Sequence, residues 1–256
     1  MNTILSQIFF NDKAHDVKKQ LYFSFSFTLF TILALAIDSV YFVVNYFDGR
    51  PIVNLLAVLY FSFFFLVSGS YLRKLMVTMV FLSYIGEIIF CTLLGMYNYR
   101  TVVIPLYVPF GHAIVYASGY VFAHTEWAVR NDKLLKKYFA TGFIVLFLSV
   151  GIFFNDVFSL IFGVFFFLLL RRKKWQNLYY FIAICVIFIE LVGTYFECWK
   201  WVPKTFGLIP AVNPPMGAVF FYAGGDVLLV KIVDYWKFKR NKNLIDRNAK
   251  NQVEYW

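Results

Sequence analysis

Long apolar runs separated by short polar segments make up most of this chain of 256 residues. Many of the runs approach the roughly 20 residues that an α-helix needs to cross about 30 Å of hydrocarbon. The pattern predicts an all-α fold, a polytopic transmembrane helical bundle of about eight spans, with the fifth and sixth short enough to form one re-entrant pair instead. The predicted spans are at about 21–46, 52–71, 75–96, 102–123, 138–154, 157–170, 176–196 and 215–233.

The polar ends of the chain complete the expected organisation. Residues 1–20 form a cytoplasmic N-terminal segment, 21–236 the eight-span transmembrane domain, and 237–256 a basic cytoplasmic tail that is disordered or lies on the surface. The first 20 residues carry five charged side chains and no uninterrupted apolar core, so we expect no cleavable signal peptide.

Composition supports a membrane location and charge gives an orientation. The chain is 61% hydrophobic and 15% charged, whereas soluble domains carry about 25% charged residues. Of 24 Lys and Arg residues, only Arg50, Arg100, Lys200 and Lys204 fall in the segments that lie outside if the N-terminus is inside. Since positively charged loops stay in the cytoplasm, both termini are expected there, and the membrane is expected to be a bacterial inner (plasma) membrane.

The basic residues lie between apolar runs, which argues against nucleic acid as the reason for the +10 net charge.

Ionisable residues inside the apolar runs are the candidate catalytic groups. An ionised side chain at the bilayer centre costs roughly 2.5–3.5 kcal/mol, so these groups should face inward together, paired, protonated or around water. Their positions place all of them in the middle or outer half of the bilayer, in one water-poor chamber. The candidates are Asp38, Glu87, His112, Glu190 and Asp226.

Helical spacing divides the spans into two groups. Thr31, Asp38 and Asn45 recur every seven residues, and Tyr222 and Asp226 lie four apart, as residues on one helix face do. Spans one, three, four, seven and eight therefore carry an inward polar face. Spans two, five and six are apolar on all sides and are expected to be outer scaffold helices.

The connector between the last two spans supplies the candidate substrate-binding residues. An aromatic pair could stack on a substrate or form an interfacial belt, and Asn213-Pro214-Pro215 could be only a turn and helix start. Packing is also the alternative for His112, and pairing with Arg50 or Arg100 is the alternative for Asp38. The substrate-binding candidates are Trp199, Trp201, Tyr222, Asn213 and Thr194.

Motifs for a metal or a cofactor are absent from the sequence. There is no GxSxG, HExxH or Walker lysine loop, and the three cysteines form no CxxC pair. One metal held by Glu87, His112, Glu190 and Asp226 is conceivable, but no spacing motif supports it. We therefore expect no metal and no cofactor.

Residues 190–194, Glu-Leu-Val-Gly-Thr, resemble the ExxGT stretch of integral-membrane carotenoid-biosynthesis proteins of the carotenoid hydratase type. The next segment departs, because that family has a PFGxYxY pattern where this chain has YFECWKW. A Pro-Phe-Gly-His run occurs at 109–112, on a different helix. The resemblance implies that Glu190 is the functional residue carried over and that the substrate is a long apolar isoprenoid.

Three functions remain open at this point. The first is an intramembrane enzyme acting on a lipid or isoprenoid, in which Glu190 or Asp226 is the acid and Glu87 with His112 the partner. The second is a proton-coupled transporter or ion carrier that uses the same groups as a relay. The third is a membrane scaffold protein whose buried acids lock helices together. The oligomeric state is left open.

Overall fold

The computed structural model describes residues 16–101 and 103–253. Within them, α4 continues into a π-helical turn at Ile88–Leu93, and a 3-10 turn at Met216–Ala218 leads into α10. Four short strands are β1 Tyr97–Tyr99, β2 Trp199–Trp201, β3 Lys204–Thr205 and β4 Ile209–Pro210. The helices are α1 Val17–Ile37, α2 Val40–Asn45, α3 Arg50–Val67, α4 Ser70–Glu87, α5 Tyr107–Ala123, α6 Glu126–Arg130, α7 Asp132–Phe153, α8 Val157–Arg171, α9 Gln176–Tyr195 and α10 Val219–Val253.

Six helical segments in the described part of the chain are long and apolar enough to cross a membrane, which supports the predicted class of integral membrane protein. They are Val17–Ile37, Arg50–Val67, Ser70–Leu93, Asp132–Phe153, Gln176–Tyr195 and Met216–Trp236. The other two predicted spans are also helical but shorter. Helix α8 has 15 residues and α5 has 17.

Helix α5 lies at the centre of the bundle. It packs against α1, α3, α4 and α9, and most of its side chains are buried. Gly119 allows the close approach of α9, because a Cβ there would lie 2.7 Å from the Cα of Ile182. Since protein surrounds α5 on several sides, its polar His112 and tyrosines do not have to meet lipid.

The structure corrects the first predicted span. The run at 21–46 is two helices, because α1 ends at Ile37 and the backbone turns at Asp38 and Ser39 before α2. The Ser39 hydroxyl caps α2 by accepting a hydrogen bond from the Phe42 N–H at 3.0 Å. Asn45 is therefore not on one continuous face with Thr31, and it is exposed.

The C-terminal segment also differs from its prediction. Helix α10 continues through the polar residues as far as Val253, so the tail at 237–256 is helical over most of its length. Residues 1–15 and 254–256, which hold most of the predicted N-terminal segment and the end of the tail, lie outside the described residues.

Two small antiparallel sheets lie in the connectors of the described part of the chain, and the sequence pattern did not predict them. Strand β1 (Tyr-Asn-Tyr) pairs with β2 (Trp-Lys-Trp), placing Tyr97 opposite Trp201 and Tyr99 opposite Trp199. Successive side chains of a strand point to opposite faces. All four aromatic side chains therefore share one face, while Asn98 and Lys200 are exposed on the other. We call residues 97–99 and 199–201 the aromatic sheet.

Candidate functional site

Glu190, near the end of α9, receives three hydrogen bonds from aromatic side chains. The indole N–H groups of Trp199 and Trp201 donate to its Oε2 at 2.9 and 3.0 Å. The hydroxyl of Tyr222 donates to its Oε1 at 2.6 Å. Only 5% of Glu190 is exposed, so these donors stand in for the water that the carboxyl group has lost.

Glu87, the last residue of α4, has a closely similar environment. The hydroxyls of Tyr97 and Tyr99 donate to its Oε2 at 2.7 and 2.8 Å. The Nε2 of His112 lies 2.9 Å from its Oε1. When Nε2 carries the proton in this pair, Nδ1 of the imidazole is a free acceptor, and no described residue binds it. A carboxylate that orients a histidine in this way prepares it to act as a base.

Both carboxyl groups line one cavity of about 70 Å³ in the middle of the bundle, which we call the first cavity. His112 and Tyr222 also line it, and their rings stack with centroids 5.3 Å apart and planes inclined by 19°. The rest of its wall is largely apolar, including Val53 and Ala57 of α3. The second predicted span, expected to be only scaffold, therefore contributes to the cavity wall.

The aromatic sheet depends on a glycine of the Glu190 helix. A Cβ on Gly193 would lie 1.9 Å from Cη2 of Trp199, so the indole packs directly on the backbone of α9 at this residue. Glu190 and Gly193 are three apart and share a helix face. The ExxGT stretch therefore has a physical reading, in which the glycine makes room for the indole that donates to the glutamate.

Asp226 of α10 lies on a second cavity of about 100 Å³, which we call the second cavity. Glu87, His112 and Tyr222, together with Tyr97 and Val115, line this cavity as well as the first, so they border both cavities. Asp226 is 3% exposed, and its Oδ2 has no hydrogen-bond partner among the described residues. Tyr116 lines the same cavity, and its hydroxyl is likewise unpartnered within the described ranges.

Asp38 is held outside the two cavities by an ion-pair network. Its Oδ1 pairs with Arg100 at 2.7 Å, and its Oδ2 accepts from the Tyr107 hydroxyl at 2.6 Å. Arg100 also pairs with Asp48 at 3.0 Å. Burial disfavours the charged guanidinium, but hydrogen bonds to the two aspartates outweigh it and raise the pKa of Arg100. Pairing with Arg100 was one sequence alternative for Asp38. Tyr107, which also lines the first cavity, connects Asp38 to that cavity.

Two substrate-binding candidates support other residues and do not line either cavity. The side-chain oxygen of Asn213 accepts a hydrogen bond from the backbone N–H of Trp201 at 2.9 Å. The hydroxyl of Thr194 donates to the backbone oxygen of Glu190 at 2.7 Å. Both border a separate open groove with Pro214. Trp199 and Tyr222 line the first cavity, and Trp201 lines the second.

Sequence reasoning missed three tyrosines, Tyr97, Tyr99 and Tyr107, as partners of the buried acids. The available signal was the period of two in Tyr-Asn-Tyr and Trp-Lys-Trp, each of which alternates aromatic and polar residues as a half-buried strand does. A run of three residues is too short for this alternation to favour a strand over a loop. The pairing of one run with another 102 positions away is a tertiary contact.

Possible metal ligands do not group together in the described part of the chain. Among residues 16–101 and 103–253, no three His, Cys, Asp or Glu side chains form a group that could hold a metal ion.

No protein-family model matches this chain, and no curated protein or solved structure is significantly similar to it. The site itself provides two carboxyl groups, one imidazole and several aromatic faces around a small cavity.

Proposed function

We propose that the protein is an integral-membrane enzyme whose buried carboxyl groups perform acid–base chemistry on a lipid or isoprenoid, carotenoid-like substrate. One observation carries the proposal. Glu87 and Glu190, which are 103 positions apart in sequence, share one aromatic-walled cavity with His112 and Tyr222 between them. Groups that merely lock helices together need no cavity at their shared face.

Glu190 is the proton donor. An indole N–H can only donate a hydrogen bond, and Oε2 accepts two of them. The two indoles therefore use both lone pairs of Oε2, and the acid proton cannot be bound there. The proton of the neutral acid sits on Oε1, beside the Tyr222 hydroxyl, which can turn to accept it. Once the proton has left, all three neighbours donate to the new carboxylate. Their stabilisation is therefore greatest where negative charge develops during the reaction.

The chemistry follows from this assignment. The Glu190 proton adds to one carbon of a double bond, the π electrons form the new C–H bond, and the neighbouring carbon becomes a cation. The faces of Trp199 and Tyr222, which line the cavity, stabilise that cation. A water oxygen bonds to the cation and gives one proton to Nδ1 of His112, whose positive charge Glu87 balances. An alkene and water thus become an alcohol.

The cavity limits which part of a substrate reacts. Drug-sized ligands occupy pockets of about 300–1,000 Å³, and the first cavity is about 70 Å³. Only the reacting end of a long molecule enters, so the rest of an isoprenoid or acyl chain stays among the helices or in the lipid. The apolar wall and the resemblance at Glu190 both favour an isoprenoid end group.

The eight-span topology, with both termini in the cytoplasm of a bacterial plasma membrane, is part of this proposal. Helices of 17 and 15 residues, α5 and α8, are about 25 and 22 Å long. Counting them as spans preserves the strong excess of Lys and Arg on the inner side. Reporter enzymes that work only in the cytoplasm should be active when fused to either terminus. Activity at one terminus alone would require an odd number of spans.

The function is tested by comparing lipid extracts of cells that express wild type, Glu190→Gln or Glu197→Gln. A glutamine at position 190 has no acidic proton to transfer, so we expect the product to disappear and its precursor to accumulate. Glu197 is exposed and lies outside both cavities, so the same change there is a matched control with a wild-type extract. An unchanged extract from the Glu190→Gln cells would refute the proposal.

A proton-coupled carrier is the second candidate, favoured by the two cavities that meet at Glu87 and His112. It predicts a proton flux into proteoliposomes that Asp226→Asn abolishes. If vesicles hold a pH gradient equally well with and without the wild-type protein, the carrier function is excluded. A scaffold role predicts that both neutral substitutions lower the melting temperature and leave lipids and flux unchanged.

A further inference from the structure

Asp226 is a buried acid that the proposed chemistry leaves without a role. Several titratable groups share the second cavity with it: Glu87 from α4, His112 and Tyr116 from α5, Tyr97 from β1 and Tyr222 from α10. Among the described residues, no lysine or arginine lines this cavity. Within the described residues, the carboxyl group therefore faces acids, phenols and one imidazole, and no permanent cation.

The neutral acid is the stable form of such a group. An ionised carboxylate without a cation or donors is strongly disfavoured in a low-dielectric interior, even after relaxation. A cavity needs about 10–15 Å³ to hold one water molecule, and a buried water needs two to four polar partners. At about 100 Å³, with Asp226 Oδ2 and the Tyr116 hydroxyl unpartnered on its wall, the second cavity meets both conditions.

We propose that the second cavity holds water and that Asp226, as a neutral carboxylic acid, is its proton-storing group, which returns protons from His112 to Glu190. His112 and Tyr222 line both cavities, so each can exchange a proton with water on one side while substrate occupies the other. Tyr222 and Asp226 are four residues apart on α10, about 6 Å along the helix axis.

The proton balance of this return path closes. After a turnover, Glu190 lacks a proton and His112 carries an extra one. Asp226 gives its proton to water in the second cavity, the water gives one to the Tyr222 hydroxyl, and Tyr222 passes its own to Oε1 of Glu190. His112 then gives its extra proton through water to the Asp226 carboxylate. No oxidant or further reactant is needed, and both acids and the imidazole end as they began.

The inference that Asp226 stores a proton depends on the second cavity alone, whereas the use of that proton in turnover rests on the proposed function. It can therefore be tested with D₂O as the probe and no substrate. Infrared spectra of the purified protein should contain a C=O stretching band of a protonated carboxyl group that Asp226→Asn removes. Glu190→Gln should remove a different one. Asn resembles a neutral acid in shape and charge, so the Asp226→Asn protein should keep a melting temperature close to that of wild type.

Two neighbouring glycines provide a second test, in which the Asp226 carboxyl group itself is kept. A Cβ on Gly225, which lines the second cavity, meets nothing within 4 Å, and neither does one on Gly224, which lines neither cavity. Gly225→Ala should fill part of the water space and slow the shift of the Asp226 band in D₂O by tenfold or more. Gly224→Ala, the matched control, should leave the exchange rate unchanged.

The outcomes separate the two proposals. If Asp226→Asn removes no protonated-carboxyl band, Asp226 is ionised. Equal exchange rates in the two alanine variants would show that the cavity carries no exchanging water. Either result overturns the proton-storing site. If the Asp226 band and its slowed exchange are found while the Glu190→Gln lipid extract is unchanged, the storage site holds and the proposed enzyme activity fails.

Discussion

Replacing Gly193 by alanine tests how the aromatic sheet reaches Glu190. The new Cβ would lie 1.9 Å from Cη2 of Trp199, while carbon atoms in contact are about 3.5–4.0 Å apart. The indole must therefore withdraw by about 1.6 Å or more. Such a shift breaks its hydrogen bond of 2.9 Å to Glu190.

Two costs add up in this variant. Forcing an extra methyl group into a packed interior costs about 1–3 kcal/mol. Loss of a hydrogen bond to the neutral Glu190 carboxyl group costs about 0.5–1.5 kcal/mol. We expect Gly193→Ala to lower the free energy of unfolding by about 1.5–4.5 kcal/mol, measured by titrating the protein in mixed micelles with a denaturing detergent. Gly224→Ala, where the methyl group meets open space, should instead stabilise the helix by about 0.5–1 kcal/mol.

A double-mutant cycle identifies the cause. When Trp199 is first replaced by leucine, the ring that the new methyl group would strike is gone. The additional cost of Gly193→Ala should then fall below about 1 kcal/mol, since residues in contact show non-additive effects. If Gly193→Ala costs as much beside leucine as beside tryptophan, the glycine acts through something other than the indole, and our physical reading of the ExxGT stretch is wrong.

Three further predictions concern the scaffold around the site. Gly119→Ala should lower the melting temperature, because its Cβ would meet the Cα of Ile182 at 2.7 Å and push α5 away from α9. Asp156→Ala should cost about 1–2 kcal/mol in detergent titrations, since it removes the side chain that caps α8. Burial raises the pKa of Asp48, but hydrogen bonds from Arg100 and the Arg50 side chain and backbone outweigh it, so the pKa lies below its usual 3.8. The stabilising contribution of the Asp48 carboxylate is complete above pH 3.8 and is lost as the pH falls through the lowered pKa. At acid pH, the melting temperature of Asp48→Asn should therefore fall less steeply with pH than that of wild type.

The membrane class was readable from the sequence because it depends on composition and run length alone. Buried acids could also be listed, since an ionisable residue inside an apolar run is conspicuous wherever the run folds. The break at Asp38 was not readable, because Asp38 is satisfied by Arg100 and Tyr107, more than 60 positions away. The sequence offered Arg100 only as an alternative beside Arg50, and it gave no sign of Tyr107.

The sequence by itself determined that Glu87, His112, Glu190 and Asp226 had to turn away from lipid, because the cost of exposing them there applies in any arrangement of the helices. Only the tertiary structure decided how they are grouped. It placed two short aromatic strands opposite each other, so that four ring donors reach two carboxyl groups, and it left Asp226 facing a cavity without a partner among the described residues. Hydrogen bonds at 3 Å depend on the register of distant segments, and hydrophobic patterning specifies only which side of each helix is buried.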